Sequence, residues 1–199
     1  MGATSTSRHT KNDHDTTVSS GALLGVGSAC WTNHGACAQN FLNLLQKSAP
    51  VAEAYAAVQK LLAAGQLTAH QREQIALTVG EINDSRYCLA AHSAIGRDVG
   101  LSEDDIWLAR KAGANDAKAE AMLRFTQAVA LQRGRVSHED LVALRGAGFS
   151  DAQLIEILAN VALNVFTNYV NILFKTQVDF LLLHPEIRQP KTATAAADS

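Results

Sequence analysis

Four residues in the middle of the chain have types and spacing that could do chemistry together: Glu73, Ser85, Cys88 and His92. In SRYCLAAH the cysteine precedes the histidine by four positions, so a helix through this stretch sets them one turn apart on one face. Ser85 falls one turn earlier on the same stripe. A cysteine there would complete C-x-x-C, a dithiol redox motif, but the chain reads S-x-x-C.

The chemistry suggested is that of an activated thiol. Asp84 is a natural helix N-cap, which predicts Cys88 in the second turn, where free amides and the positive end of the helix dipole favour a thiolate. His92 can exchange a proton with the sulfur or with intervening water. Arg86 adds positive charge nearby, although its position predicts a solvent-facing side chain. An ordinary helix holding a buried cysteine would share much of this pattern, since Leu89, Ala90 and Ala91 point to tight packing. Glu73 weighs towards the first reading, the alternative for it being a solvated surface glutamate beside Arg72. Glu73 lies in AHQREQIALTVGEIND, where Ile75, Ala76, Val79 and Ile82 form an apolar face. If that helix packs antiparallel to the next one, carboxylate, imidazole and thiol form a proton relay.

The elements that must position these residues are helical. No convincing run alternates with period two, and the three prolines lie at helix edges or beyond. The fold class is all-α, with helices expected near 38–47, 50–64, 69–83, 85–98, 103–112, 116–132, 138–146 and 151–173, and a short one at 175–183. Thr68 with Gln71 and Ser150 with Gln153 fit the capping box, and Ser102 with Asp105 and Ser137 with Asp140 repeat it with a shorter acid. The segment 151–173 is apolar nearly all round, which predicts a central or oligomer-buried helix. Residues 1–37 read as a flexible arm, 38–185 as one all-helical domain and 186–199 as a tail.

Composition narrows the function. With 47% hydrophobic residues, the chain can fill a core without disulfides or metal. A net charge of -2 and the absence of a Lys/Arg cluster argue against a nucleic-acid surface. Three cysteines suit a reducing, cytoplasmic setting, and no run has the length of a membrane span. Cys30, His34 and Cys37 are of metal-binding type, but no fourth ligand is close, so neither metal nor cofactor is expected. Asn164, Asn168 and Asn171 form a polar stripe on an apolar helix, lining either a pocket or a helix interface. Tyr87 and Tyr169 are candidates for a pocket wall, Trp107 reads as a core or interface anchor, and His70 and His138 read as surface.

The four-point spacing, with REQIALTVGEIN before it, YCLAAHSAIGRDVGLS through it and NVFTNYVNILFKTQVDF near the end, resembles the alkylhydroperoxidase D-like or carboxymuconolactone decarboxylase-like proteins. Redox members of that family carry Glu, eleven residues, Cys-x-x-Cys, three residues and His; this chain matches with Glu73, Ser85, Cys88 and His92. The resemblance implies an all-helical homo-oligomer, a trimer or hexamer, that reduces hydroperoxides. It implies Cys88 at the position that becomes a sulfenic acid, Glu73 and His92 as proton relay, and a thiol or dithiol reductant as partner. Ser85 departs from the pattern, because a hydroxyl can orient a thiolate but cannot close a disulfide. Resolution then falls to an external thiol or to Cys30 or Cys37, or else activity is reduced or lost. The alternatives are a decarboxylase-like enzyme acting on a small carboxylic acid and a redox-inactive oligomeric member. Arg or Lys inside the pocket would favour an acid substrate.

Overall fold

The computed structural model describes residues 38–179. Among them every regular element is a helix: α1 (Gln39–Leu45), α2 (Ala49–Ala63), α3 (Ala69–Ile82), α4 (Arg86–Asp98), α5 (Glu103–Arg110), α6 (Ala117–Gln132), α7 (His138–Gly146) and α8 (Asp151–Leu173). The all-α expectation holds, and each predicted helix up to 173 is present within two residues or so of its expected ends. The short helix expected at 175–183 is not formed over 175–179, where the chain leaves α8 through a left-handed Lys175 and runs on without regular structure. Cys30, His34 and Cys37, and the expectations for arm and tail, lie outside the described residues.

The helix starts follow from their caps. Thr68, Ser102, Ser137 and Ser150 each accept a hydrogen bond from the backbone amide three residues on, and Gln71, Asp105, Asp140 and Gln153 reach back to complete the box. The start of α4 differs from expectation. Asp84 is not its N-cap; it sits in the left-handed region at φ 50° and serves as the stop of α3. Its amide bonds Glu81 O at 3.1 Å and the amide of Ser85 bonds Gly80 O at 3.0 Å, the bond pattern of a Schellman stop. The connection is so short that Ser85 closes the stop of one helix and stands at the N-cap position of the next, with no side-chain capping bond. Cys88 consequently lies in the first turn of α4, not the second.

The central helix is α3, which packs against α4, α5, α6 and α8. Every residue from Gln74 to Gly80 is buried, so the helix is enclosed on all sides rather than along one face. Thr78 is accommodated because its hydroxyl donates to Gln74 O and to Ala109 O on α5, at 3.0 and 2.6 Å. Gly80 allows α4 to approach closely: a Cβ there would meet the Leu89 side chain at 3.3 Å. The main core joins α3, α5, α6, α7 and α8 around Ile75, Leu77, Met122, Leu123 and Ile157. A second cluster of Phe41, Leu42, Leu45, Ala52, Tyr87, Cys88 and Ala91 is built from α1, α2 and α4.

Within the described chain α8 is not central. One side supplies Ile157, Val161 and a polar stripe to the interior, while Ile155, Phe166, Tyr169 and Leu173 face outward. Tyr169 is therefore no pocket wall, and Trp107 is no core anchor: it is 42% exposed, with the Lys111 ammonium 4.4 Å from its ring centre. His70 and His138 are at the surface as expected. No helix among the described residues is long and apolar enough to cross a membrane.

The turn joining α2 to α3 sets two walls of the site relative to each other, and Glu156 of α8 holds it. The Glu156 carboxylate accepts from the amides of Gln66, at 2.8 Å, and Leu67, at 3.0 Å. Replacing Glu156 by Ala leaves these amides without that acceptor. The expected loss in urea unfolding is about 1–2 kcal/mol, with the slope of the transition unchanged.

Candidate active site

The helix pair α3 and α4 brings the predicted chemistry together. Glu73, in the second turn of α3, reaches His92 on α4, with Oε2 2.7 Å from Nδ1. Their side chains retain 15% and 18% exposure, whereas Cys88 retains 3%. The relay therefore stands towards solvent and the sulfur lies deeper. Both ends open onto one cavity of about 70 Å³, room for a small molecule or a few waters.

That cavity has an apolar and a polar side. Phe41, Tyr55, Tyr87, Ala91, Ile95 and Leu163 supply the first, with the Phe41 and Tyr55 rings edge to face at 5.3 Å. Asn160, Asn164, Thr167 and Asn171, all from α8, supply much of the second. Of the predicted asparagine stripe, Asn164 and Asn171 line the cavity. Asn168 is fully buried and donates to Val79 O at 3.2 Å, a structural bond to α3. The stripe extends one step further back than expected, to Asn160, which the same four-residue spacing would have found.

Around Cys88 the polar groups converge. The Asn171 amide donates to its Sγ at 3.4 Å. Ser85 is 1% exposed and its hydroxyl has no hydrogen-bond partner of good geometry, although it lies close enough to the sulfur to favour the thiolate. Burial pushes the Cys88 thiol above its ordinary value; the hydroxyl of Ser85, the amide of Asn171 and the hydroxyl of Thr167 pull it part of the way back. This corrects the expectation of a depressed thiol. Cys88 is at a helix N-terminus, but one that is buried, and desolvation is the largest influence on the thiol. Arg86, exposed as expected, points away from the cavity and is absent from its lining.

Sequence reasoning missed part of the wall. Tyr55 lies among alanines in a helix whose spacing gives no hint of chemistry. Its hydroxyl accepts from Gln59 at 2.9 Å, and burial, opposed by that bond, lifts the phenol well above its usual range. Tyr55 lines the same cavity as Cys88 and Glu73. Tyr87 likewise stays protonated, through burial and then its bond to Asp179 at 2.9 Å. Arg72 lines the cavity while one guanidinium nitrogen donates to Leu67 O. Among the described residues no group of His, Cys, Asp or Glu is arranged to hold a metal.

The model of the carboxymuconolactone decarboxylase family matches residues 49–131, the stretch from α2 into α6 that contains Glu73, Ser85, Cys88 and His92. No curated protein matches the chain. Among solved structures, a peroxidase-related protein from Ralstonia eutropha JMP134 with an alkylhydroperoxidase D core is 26% identical, covering 68% of this chain and 74% of its own, with a TM-score of 0.61. A peroxidase-related protein from Silicibacter sp. TM1040 is 24% identical, with coverage of 68% and 74% and a TM-score of 0.62. The debrominase Bmp8, solved in complex with 2,3,4-tribromopyrrole, shares the fold at 20% identity, with coverage of 71% and 80% and a TM-score of 0.63.

The sign of the pH dependence follows from the thiol. A raised thiol value means that Cys88 is protonated at neutral pH and that its thiolate fraction grows only as pH rises beyond the ordinary cysteine value of 9.0. Alkylation of Cys88 by iodoacetamide, followed by mass spectrometry, is expected to accelerate with pH with a midpoint above that value. A midpoint below it would contradict the dominance of burial.

Proposed function

From the match of residues 49–131 to the carboxymuconolactone decarboxylase family and the likeness to an alkylhydroperoxidase D core, we propose that the chain is a member of that family and a thiol-dependent hydroperoxidase with Cys88 as nucleophile. The observation that carries this reading is the 2.7 Å bond between Glu73 and His92 on the wall of the cavity that also holds the Cys88 sulfur. With Nδ1–H donated to Glu73, Nε2 of His92 is the nitrogen left to take up and return a proton.

In this cycle His92 removes the thiol proton as peroxide enters. The thiolate electron pair attacks one peroxide oxygen, the S–O bond forms and the O–O bond breaks. The departing alkoxide takes the proton from His92, leaving an alcohol and Cys88 sulfenic acid. Ser85 orients the sulfur. Because Ser85 cannot form a disulfide, a reductant thiol attacks the sulfenic sulfur and releases water. A second thiol then splits the mixed disulfide and restores Cys88. The resting thiol, kept neutral by burial, is charged only when its proton has somewhere to go. The reading includes a homo-oligomer of three or six copies, and the outward apolar side of α8 (Ile155, Phe166, Tyr169, Leu173) suits burial against another copy.

A second reading rests on Arg72. A permanent positive charge on the cavity wall suits a carboxylate, which would make the chain a decarboxylase-like enzyme on a small carboxylic acid. The experiment is hydroperoxide consumption in the presence of a monothiol. Turnover is expected in the wild type, is lost in Cys88→Ala and falls about 100-fold in Glu73→Gln, the scale of a general-base contribution. Consumption that persists unchanged in Cys88→Ala would overturn the peroxidase reading and leave the second.

A further inference from the structure

Two buried polar atoms beside Cys88 lack a hydrogen bond of good geometry: the Ser85 hydroxyl oxygen, whose one polar neighbour of note is the sulfur itself, and Asn171 Oδ1. Their residues are 1% and 4% exposed. Buried polar groups are ordinarily satisfied, and each unsatisfied one loses its hydration without return. One comes from the connection between α3 and α4 and the other from α8, and their residues flank the same sulfur. Asn171 is anchored in place, its Nδ2 shared between Thr167 O at 3.0 Å and Cys88 Sγ at 3.4 Å. Fixing Nδ2 in this way also fixes Oδ1, in a residue that lines the cavity.

A reduced thiol cannot satisfy both orphans, because its sulfur is a weak acceptor and its single S–H a weak donor. Oxidation changes the inventory. Insertion of one oxygen gives S–O–H, with a strong acceptor oxygen and a strong O–H donor placed one bond out from the sulfur. We propose that Ser85 and Asn171 form a receptor for the Cys88 sulfenic acid: Ser85 donates its hydroxyl proton to the sulfenic oxygen, and the sulfenic O–H donates to Asn171 Oδ1. The inference deepens the hydroperoxidase reading and rests on it. In this chain Ser85 is then more than a lost cysteine. It converts a position that would consume the sulfenic acid as a disulfide into one that preserves it until an external thiol arrives. No oxidant is needed beyond the hydroperoxide, and the reductant is the same thiol class as above.

The receptor predicts a long-lived sulfenic acid in the absence of thiol. The purified full chain is treated with a pulse of cumene hydroperoxide, the excess is removed, and the fraction of Cys88 that reacts with a dimedone-type probe is followed by intact mass. In Ser85→Ala and in Asn171→Leu the lifetime should fall about tenfold, the effect of losing one hydrogen bond of ordinary to charge-assisted strength. Ser85→Ala is the safer variant for folding, because the Ser85 side chain makes no capping bond that α4 needs. It decides the matter alone if Asn171→Leu does not fold. A wild-type sulfenic acid whose decay is the same in the folded variants overturns the receptor and leaves the hydroperoxidase reading standing. Absence of any sulfenic acid in the wild type overturns both.

Discussion

The site depends on one joint between two helices, the bond from Glu73 on α3 to His92 on α4. It fixes the imidazole orientation and tautomer and ties the deepest helix of the molecule to the helix that carries the thiol. The joint can be this short because Gly80 lets α4 lie close against α3, and because Asp84 adopts the left-handed conformation that turns the chain back within a few residues. Lengthening either contact would move the Glu73–His92 pair away from the sulfur that shares its cavity. The enclosure of α3 on every side keeps Glu73 from moving with the surface.

Around that joint two forces oppose each other at Cys88. Desolvation in the small cluster with Phe41, Leu45, Tyr87 and Ala91 disfavours a charged sulfur. Neutral donors from Ser85, Asn171 and Thr167 favour it, and they win back only part of the loss. In the proposed cycle that balance gives a thiol that is quiet until a base takes its proton. A thiolate formed in such surroundings is poorly shielded by water and correspondingly reactive towards a peroxide that reaches it. Such an arrangement limits side reactions of the thiol while the cavity is empty of substrate.

Much of this was legible in the sequence, for identifiable reasons. Four helix starts were readable because a hydroxyl and an acid or amide at fixed spacing are a local code, independent of what packs on them. Glu73, Cys88 and His92 were readable because helical spacing and the intervals between them survive whatever the rest of the chain does. Asp84 was misread because the same residue type favours both a helix start and a left-handed stop; the choice is made by the length of the connection. Of the two places expected for 151–173, central or oligomer-buried, the first does not hold within the chain: α8 is apolar on its outer side as well, and side-chain type alone does not say which side meets protein of the same chain. Tyr55 and Arg72 reach the cavity through tertiary packing across the α2–α3 turn, for which no local spacing exists. The raised thiol had the same cause: the sequence showed the helix terminus but not the depth at which it is buried.

The central claim is that Cys88 attacks a hydroperoxide and becomes a sulfenic acid. The most direct measurement is peptide mass spectrometry of the full chain after exposure to an organic hydroperoxide in the presence of a sulfenic-acid probe. The account predicts a probe adduct at Cys88 that grows with peroxide dose and diminishes sharply when His92 is replaced by Ala. A Cys88 that remains an unmodified thiol under peroxide in excess would contradict it.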